Sequence, residues 1–150
     1  MTGPMSTELT TVLVVEDDED IVLPLRCTLE REGFAVELAT SSGEAVARLR
    51  EGGISLVVVD HVLPDADGVA LAELIRRERL APAVLLLTTG RAAPAVRVPA
   101  EGTALVCLAK PFAVREFLAR TRLLLRRSEP QLPTPRRGDR PGAQVPQNVV

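Results

Sequence analysis

The chain has 150 residues, 46% of them hydrophobic and 25% charged, a composition that fits one compact domain with a tail and excludes a fully disordered or collagen-like chain. Eighteen basic residues against 20 acidic ones give a net charge of −2, with the signs interspersed, so no whole-domain field attracts phosphate backbones and DNA binding by this segment alone is disfavoured. Aromatics make up 2%, with neither Trp nor Tyr, which argues against recognition of nucleic acids or glycans by stacking. Among the 18 basic residues 17 are Arg, leaving Lys110 as the single Lys, and His61 is the single His. Cys27 and Cys107 lie far apart with no Cys-x-x-Cys pair, and read as buried free thiols of a reducing compartment. The N-terminus lacks the pattern of a secretory leader, and no purely apolar run exceeds six residues, far short of a membrane span. A cytoplasmic protein without a membrane partner is expected.

Five short apolar runs, Thr11 to Val15, Phe34 to Leu38, Ile54 to Val59, Ala83 to Leu87 and Ala104 to Leu108, alternate with helical patterns, the signature of successive β-α units around a parallel sheet. Runs apolar at nearly every position, such as Leu56 to Val59, suit central strands, while the more alternating second run suits an edge. The first helix carries Ile21, Leu25 and Leu29 four apart and stops at Gly33; Pro24 is tolerable only near its first turn, which predicts a start near Asp20. Ser41 or Ser42 caps a second helix with Ala45, Val46 and Leu49 inward, ending at Gly52-Gly53. A third runs from about Gly68 to Arg79 on Leu71, Ala72 and Ile75. The fourth connection, Arg91 to Gly102, contains Pro94 and Pro99 and fits at most a short, irregular fourth helix. The last helix, about Val114 to Arg127, presents Phe117, Leu118, Thr121, Leu124 and Leu125 on one face. These elements divide the chain into an N-terminal extension (1–10), a folded domain (11–127) and a tail or linker (128–150) with five of the 12 prolines.

In an open parallel sheet, ligands collect at the carboxyl ends of the strands. Glu16 and Asp17 follow the first run, Asp60 the third, Thr88 and Thr89 the fourth, and Lys110-Pro111 closely follow the fifth. Three carboxylates, a hydroxyl and the single Lys are thus expected to converge on one rim. Clustered carboxylates repel unless a cation sits between them, and hard oxygen ligands with room for water suit Mg²⁺ or Mn²⁺. An ammonium and a hydroxyl can hold phosphoryl oxygens, and a central carboxylate can be the nucleophile, which points to an aspartyl-phosphate site.

The segments Val-Leu-Val-Val-Glu-Asp-Asp-Glu-Asp (12–20), Val-Val-Val-Asp-His-Val-Leu-Pro-Asp-Ala-Asp-Gly (57–68), Leu-Leu-Leu-Thr (85–88) and Lys-Pro-Phe (110–112) together resemble the receiver domain of bacterial two-component response regulators, over about Thr11 to Arg127. The resemblance implies an α/β fold, a flavodoxin-like doubly wound five-stranded parallel sheet of order 2-1-3-4-5. It implies that Asp60 accepts a phosphoryl group from a phosphohistidine of a sensor histidine kinase. It further implies that Asp17, Asp60 and the main-chain carbonyl of Val62 bind Mg²⁺, with Glu16 acting through water, that Thr88 and Lys110 contact the phosphoryl group, and that a cis bond precedes Pro111. Thr89 is expected at the phosphoryl group as well, at a position where the family generally has a smaller residue. Self-catalysed phosphotransfer and dephosphorylation are implied, not turnover of a free substrate.

The residue three before Lys110, aromatic in most receivers, is Cys107, so a coupled switch with Thr88 lacks its aromatic lever. His61 is expected as a solvent-facing loop residue, and Phe112 and Phe117 as core. Output through the fourth and fifth helix face, by homodimerisation or by docking an effector protein, is one reading; an atypical receiver signalling without phosphorylation is the alternative. A receiver belonging to a longer winged-helix DNA-binding transcriptional regulator is another, since only 23 residues follow Arg127 here. A haloacid-dehalogenase-type phosphatase is disfavoured, because Val62 occupies the position of its second Asp.

Overall fold

Thr11–Val15 forms β1 in a computed structural model that describes residues 10–88 and 102–128. It is followed by α1 (Glu19–Arg31), β2 (Ala35–Ala39), α2 (Ser42–Leu49), β3 (Leu56–Asp60), α3 (Gly68–Glu78), β4 (Ala83–Thr88), β5 (Ala104–Ala109) and α4 (Val114–Ser128). All strand pairs are parallel, in the order β2-β1-β3-β4-β5, so the expected doubly wound sheet is present with β2 at one edge. The order reverses between β1 and β3, and their carboxyl ends flank the switch point. The irregular fourth helix expected at Arg91 to Gly102 lies outside the described residues apart from Gly102, as do all but the last residue of the N-terminal extension and all but the first of the tail. Thr10 and Ser128 are already engaged: the Thr10 carbonyl accepts from the Ala35 amide, and Ser128 ends α4.

Every residue of β3 and β4 is buried, as strands covered on both faces require. Alternation splits their side chains between two cores. One gathers Val12, Val14, Leu56, Val58, Leu85 and Leu87 against Leu25 and Leu29 of α1 and Phe117 and Leu124 of α4. The other gathers Leu13, Val15, Val57, Val59, Val84 and Leu86 against Ala45 and Leu49 of α2 and Leu71, Ala72 and Ile75 of α3. Phe112 is half-buried and stacks on Phe117 with centroids 5.8 Å apart.

Helix α1 begins at Glu19, next to the Asp20 start that its proline suggests. Asp18 caps it by accepting from the Asp20 amide, Leu25 and Leu29 pack it on the sheet, and Pro24 lies inside the helix, where it removes one donor. Its end has the hydrogen bonds of a Schellman motif: the Gly33 amide reaches Glu30, the Phe34 amide reaches Leu29, and Gly33 has φ of 95°. The two thiols are not buried as expected: Cys27 is exposed and Cys107 half-buried. Cys27 sits two residues past Leu25, off the Ile21-Leu25-Leu29 stripe that faces the sheet. No helix among the described residues is long and apolar enough to cross a membrane.

Candidate functional site

The carboxyl ends of β1, β3 and β5 bring together three of the expected residues. Glu16, Asp60 and Lys110 continue the alternation of Val14, Val58 and Leu108, which all face the core covered by α1 and α4. Glu16 and Asp60 are buried, at 3% and 5% exposure. Lys110 Nζ stands 2.6 Å from Asp60 Oδ1 and 4.0 Å from Glu16 Oε1. The contact with Asp60 is an ion pair without an aligned hydrogen bond: Oδ1 of Asp60 and Oε1 of Glu16 are both buried atoms that accept none. The other Glu16 oxygen accepts from the Asp18 amide at 3.1 Å. Burial pushes the Glu16 carboxyl up from 4.5 to about 7; the Asp18 amide opposes this, the charge of Asp60 adds to it, and Lys110 pulls it back.

Two main-chain features aim these groups. The Lys110 amide donates to the Thr88 carbonyl at 2.8 Å, and the Lys110–Pro111 bond is cis, as the resemblance implies. After Asp60 the chain turns back on itself: Val62 and Asp67 form an isolated antiparallel bridge, closed by Leu63 amide to Ala66 carbonyl (3.2 Å) and Gly68 amide to His61 carbonyl (2.7 Å). In this pattern the flanking residues make the bonds, and the Val62 carbonyl points away from its bridge partner.

The remaining expected residues are placed differently. Asp17 is exposed beside the cluster, and no three acidic, His or Cys side chains among the described residues stand close enough to hold a metal ion unaided. Thr88 is fully buried with Oγ1 unpaired, and it continues the alternation of Val84 and Leu86 toward the opposite core. Thr89 lies outside the described residues. His61 is half-buried rather than solvent-facing, with Nε2 3.6 Å from Asp67 Oδ1 and Nδ1 buried without a partner; the turn toward α3 covers it. Cys107 is half-buried on β5, its thiol pushed up by burial.

Two residues of the loop after Asp60 carry more than their turn-like sequence conveys. Gly68 opens α3 directly against β3: a Cβ there would lie 2.0 Å from the Asp60 carbonyl oxygen. A glycine immediately after the Asp67 cap was the available signal. Asp65, to which the sequence assigned no role, reaches across to α2, where its two carboxylate oxygens accept from the Ser42 amide (2.8 Å) and the Gly43 amide (3.1 Å). Those bonds, the Ser42 amide foremost, hold its carboxyl below the usual range.

Comparison with known proteins agrees with this arrangement. Residues 12–122 match the response regulator receiver domain. The chain is 35% identical over 122 residues to the transcriptional regulatory protein ResD of Bacillus subtilis (strain 168), covering 81% of this chain and 50% of ResD. It is 37% identical over 125 residues to the phosphate regulon transcriptional regulatory protein PhoB of Rhizobium meliloti (strain 1021), covering 81% and 54%. It thus spans about half the length of the curated relatives it matches. Among solved structures, a CheY-like response regulator receiver domain protein from Methanospirillum hungatei JF-1 superposes with a TM-score of 0.67 at 25% identity, covering 81% of this chain and 97% of that one. A response regulator receiver domain protein from Bacillus halodurans C-125 gives 0.65 at 25%, covering 83% and 100%. Family match, sheet order and the acid-lysine rim agree: the chain belongs to the response regulator receiver domain family.

Proposed function

We propose that this domain accepts a phosphoryl group onto Asp60 from a phosphohistidine of a sensor histidine kinase, as the receiving step of a two-component phosphorelay. The observation that carries the reading is the Lys110 ammonium held 2.6 Å from a buried Asp60 oxygen at the switch point of the sheet. An Asp60 oxygen attacks phosphorus, the bond from phosphorus to the histidine nitrogen breaks, and imidazole leaves with the electron pair. Lys110 then pairs with a phosphoryl oxygen in place of the Asp60 carboxylate, which supplies charge-assisted stabilisation without a change of fold. Thr88 contributes a hydroxyl with no bond of its own to give up, once its side chain turns toward the rim. Water attack on the acyl phosphate restores Asp60, so the domain turns over no free substrate.

The rim fits a divalent cation. Two buried carboxylates each keep an oxygen that accepts no hydrogen bond, and hard oxygen donors completed by water suit Mg²⁺, with Mn²⁺ an accepted substitute. Asp60, Asp17 and the Val62 carbonyl would hold the ion, with Glu16 acting through water. Bound there, Mg²⁺ supplies neutralisation of charge on the phosphoryl oxygens.

The receiving unit spans residues 11–127 and acts in the cytoplasm, where sensor kinases present their phosphohistidine. ResD and PhoB are named transcriptional regulators and are about twice as long as the matched region, which favours output through an effector region in a longer chain. Docking or homodimerisation through the faces of the connection after β4 and of α4 is the output route available to this segment. Incubation with a small-molecule phosphoryl donor and Mg²⁺, followed by intact mass, tests the reading. One phosphoryl adduct on wild type and none on Asp60→Asn is expected; no adduct on wild type, or an adduct that survives in Asp60→Asn, overturns it.

A further inference from the structure

We propose that Asp65 is a positioning residue for the acceptor site, clamping the loop after Asp60 to the N-terminus of α2. The proposal rests on the reading of Asp60 as phosphoryl acceptor. Between Asp60 and α3 the loop is held by the two main-chain bonds of the Val62-Asp67 bridge, the His61–Asp67 contact and the buried side chain of Leu63. Its tip, Pro64 and Asp65, is exposed. An exposed tip with so few bonds of its own opens easily, yet the loop follows directly on Asp60 at the end of β3 and carries the Val62 carbonyl.

Asp65 connects that tip to a rigid element. Its Oδ1 takes the Ser42 amide and its Oδ2 the Gly43 amide; two oxygens on two successive donors fix orientation as well as distance. The first turn of α2 is thereby fully accounted for. Ser41 Oγ takes the Glu44 amide, the Ser41 carbonyl takes the Ala45 amide, and the two donors left over are those Asp65 accepts. A negative charge also lies favourably at this end of the helix dipole. Helix α2 is anchored in turn by buried Ala45 and Leu49 and by Glu44 Oε1, which takes the amide and hydroxyl of Thr40 after β2. The order of β1, β2 and α2 is thus carried by one carboxylate to a loop 22 and 23 positions further along the chain. At its other end the same loop is pinned by Gly68 against Asp60. With both ends held, the acceptor oxygen and the Val62 carbonyl keep a fixed spacing before any ligand arrives, and misplacement of such groups by an ångström costs about 100-fold in rate.

Ser41→Ala provides the control, because it removes a cap from the same helix but no bond to the loop. Asp65→Ala, Asp65→Asn and Ser41→Ala are compared by urea melt, by the rate of phosphoryl uptake from a small-molecule donor at saturating Mg²⁺, and by amide hydrogen exchange without Mg²⁺ or donor. The expected result is that Asp65→Ala slows uptake about tenfold or more, and speeds exchange at the Leu63 and Gly68 amides. Ser41→Ala does neither at equal or greater loss of stability. Asp65→Asn, with one acceptor oxygen left, falls between wild type and Asp65→Ala. Uptake by Asp65→Ala at the wild-type rate, or equal slowing by Asp65→Ala and Ser41→Ala, overturns the proposal. If wild type takes up no phosphoryl group, the acceptor reading fails separately, and exchange decides the clamp: faster exchange in Asp65→Ala alone supports it, and equal exchange overturns it.

Discussion

Glu16 shows how one buried side chain links the chemistry of the rim to the stability of the fold. Its carboxyl titrates near 7 in the folded chain against 4.5 ordinarily. The folded state therefore binds the proton more tightly than the unfolded state. The associated stability is complete below pH 4.5 and is lost as the pH rises through about 7. Glu16→Gln is neutral at every pH and escapes the loss. In chelator, wild type should fall behind Glu16→Gln by up to about 3 kcal/mol between pH 4 and 8, measured as the difference between their urea-melt stabilities. A pH-independent difference would remove the burial argument. Lys110 is the complement: a compact ammonium on a flexible stem fits beside a buried carboxylate where a planar guanidinium would not. That requirement is why the only Lys among 17 Arg was readable from composition before any geometry.

Among the elements, α3 and α1 answer to opposite constraints. The amino end of α3 is pressed onto β3, so Gly68→Ala must displace either the helix or the Asp60 carbonyl 2.0 Å away. A loss of about 3 kcal/mol in denaturant stability is expected, with slower phosphoryl uptake, since the carbonyl belongs to the proposed acceptor itself. In α1, Pro24 is exposed and takes a donor out of the helix interior. Pro24→Ala restores an amide facing the Asp20 carbonyl and should raise stability by roughly 1–2 kcal/mol, reduced from the full helix penalty because proline also restricts the unfolded chain. An unchanged urea midpoint would mean that the Asp20 carbonyl is served equally well by water.

Across the whole molecule, the sheet was largely legible because buried strands advertise themselves. Leu56 to Val59 and Ala83 to Leu87 are uninterrupted apolar runs between helical repeats, and the structure places them as expected to within two residues. Asp60 and Glu16 were legible because each directly follows or ends such a run. What the sequence hid depends on contacts between distant segments or on the facing of a single position. Asp65 looks like any turn aspartate until α2 is brought alongside, and the half-burial of His61 depends on Asp67 folding back over it. Thr88 stands at the right strand end, but one residue of alternation turns it toward the other core. The same alternation governs Asp60. Val58 and Val59 belong to opposite cores, so inserting one residue between Leu56 and Asp60 would exchange every later side chain of β3 between the two faces. Circular dichroism and intact mass on that insertion variant should show lost phosphoryl uptake even where helix content survives.

The two-sided sheet thus makes the placement of Asp60 a matter of parity. An even number of steps from Leu56 to the carboxylate meets the ammonium and an odd number meets α2 and α3. Drift in this protein can therefore change the identity of nearly any strand residue more safely than it can change their number.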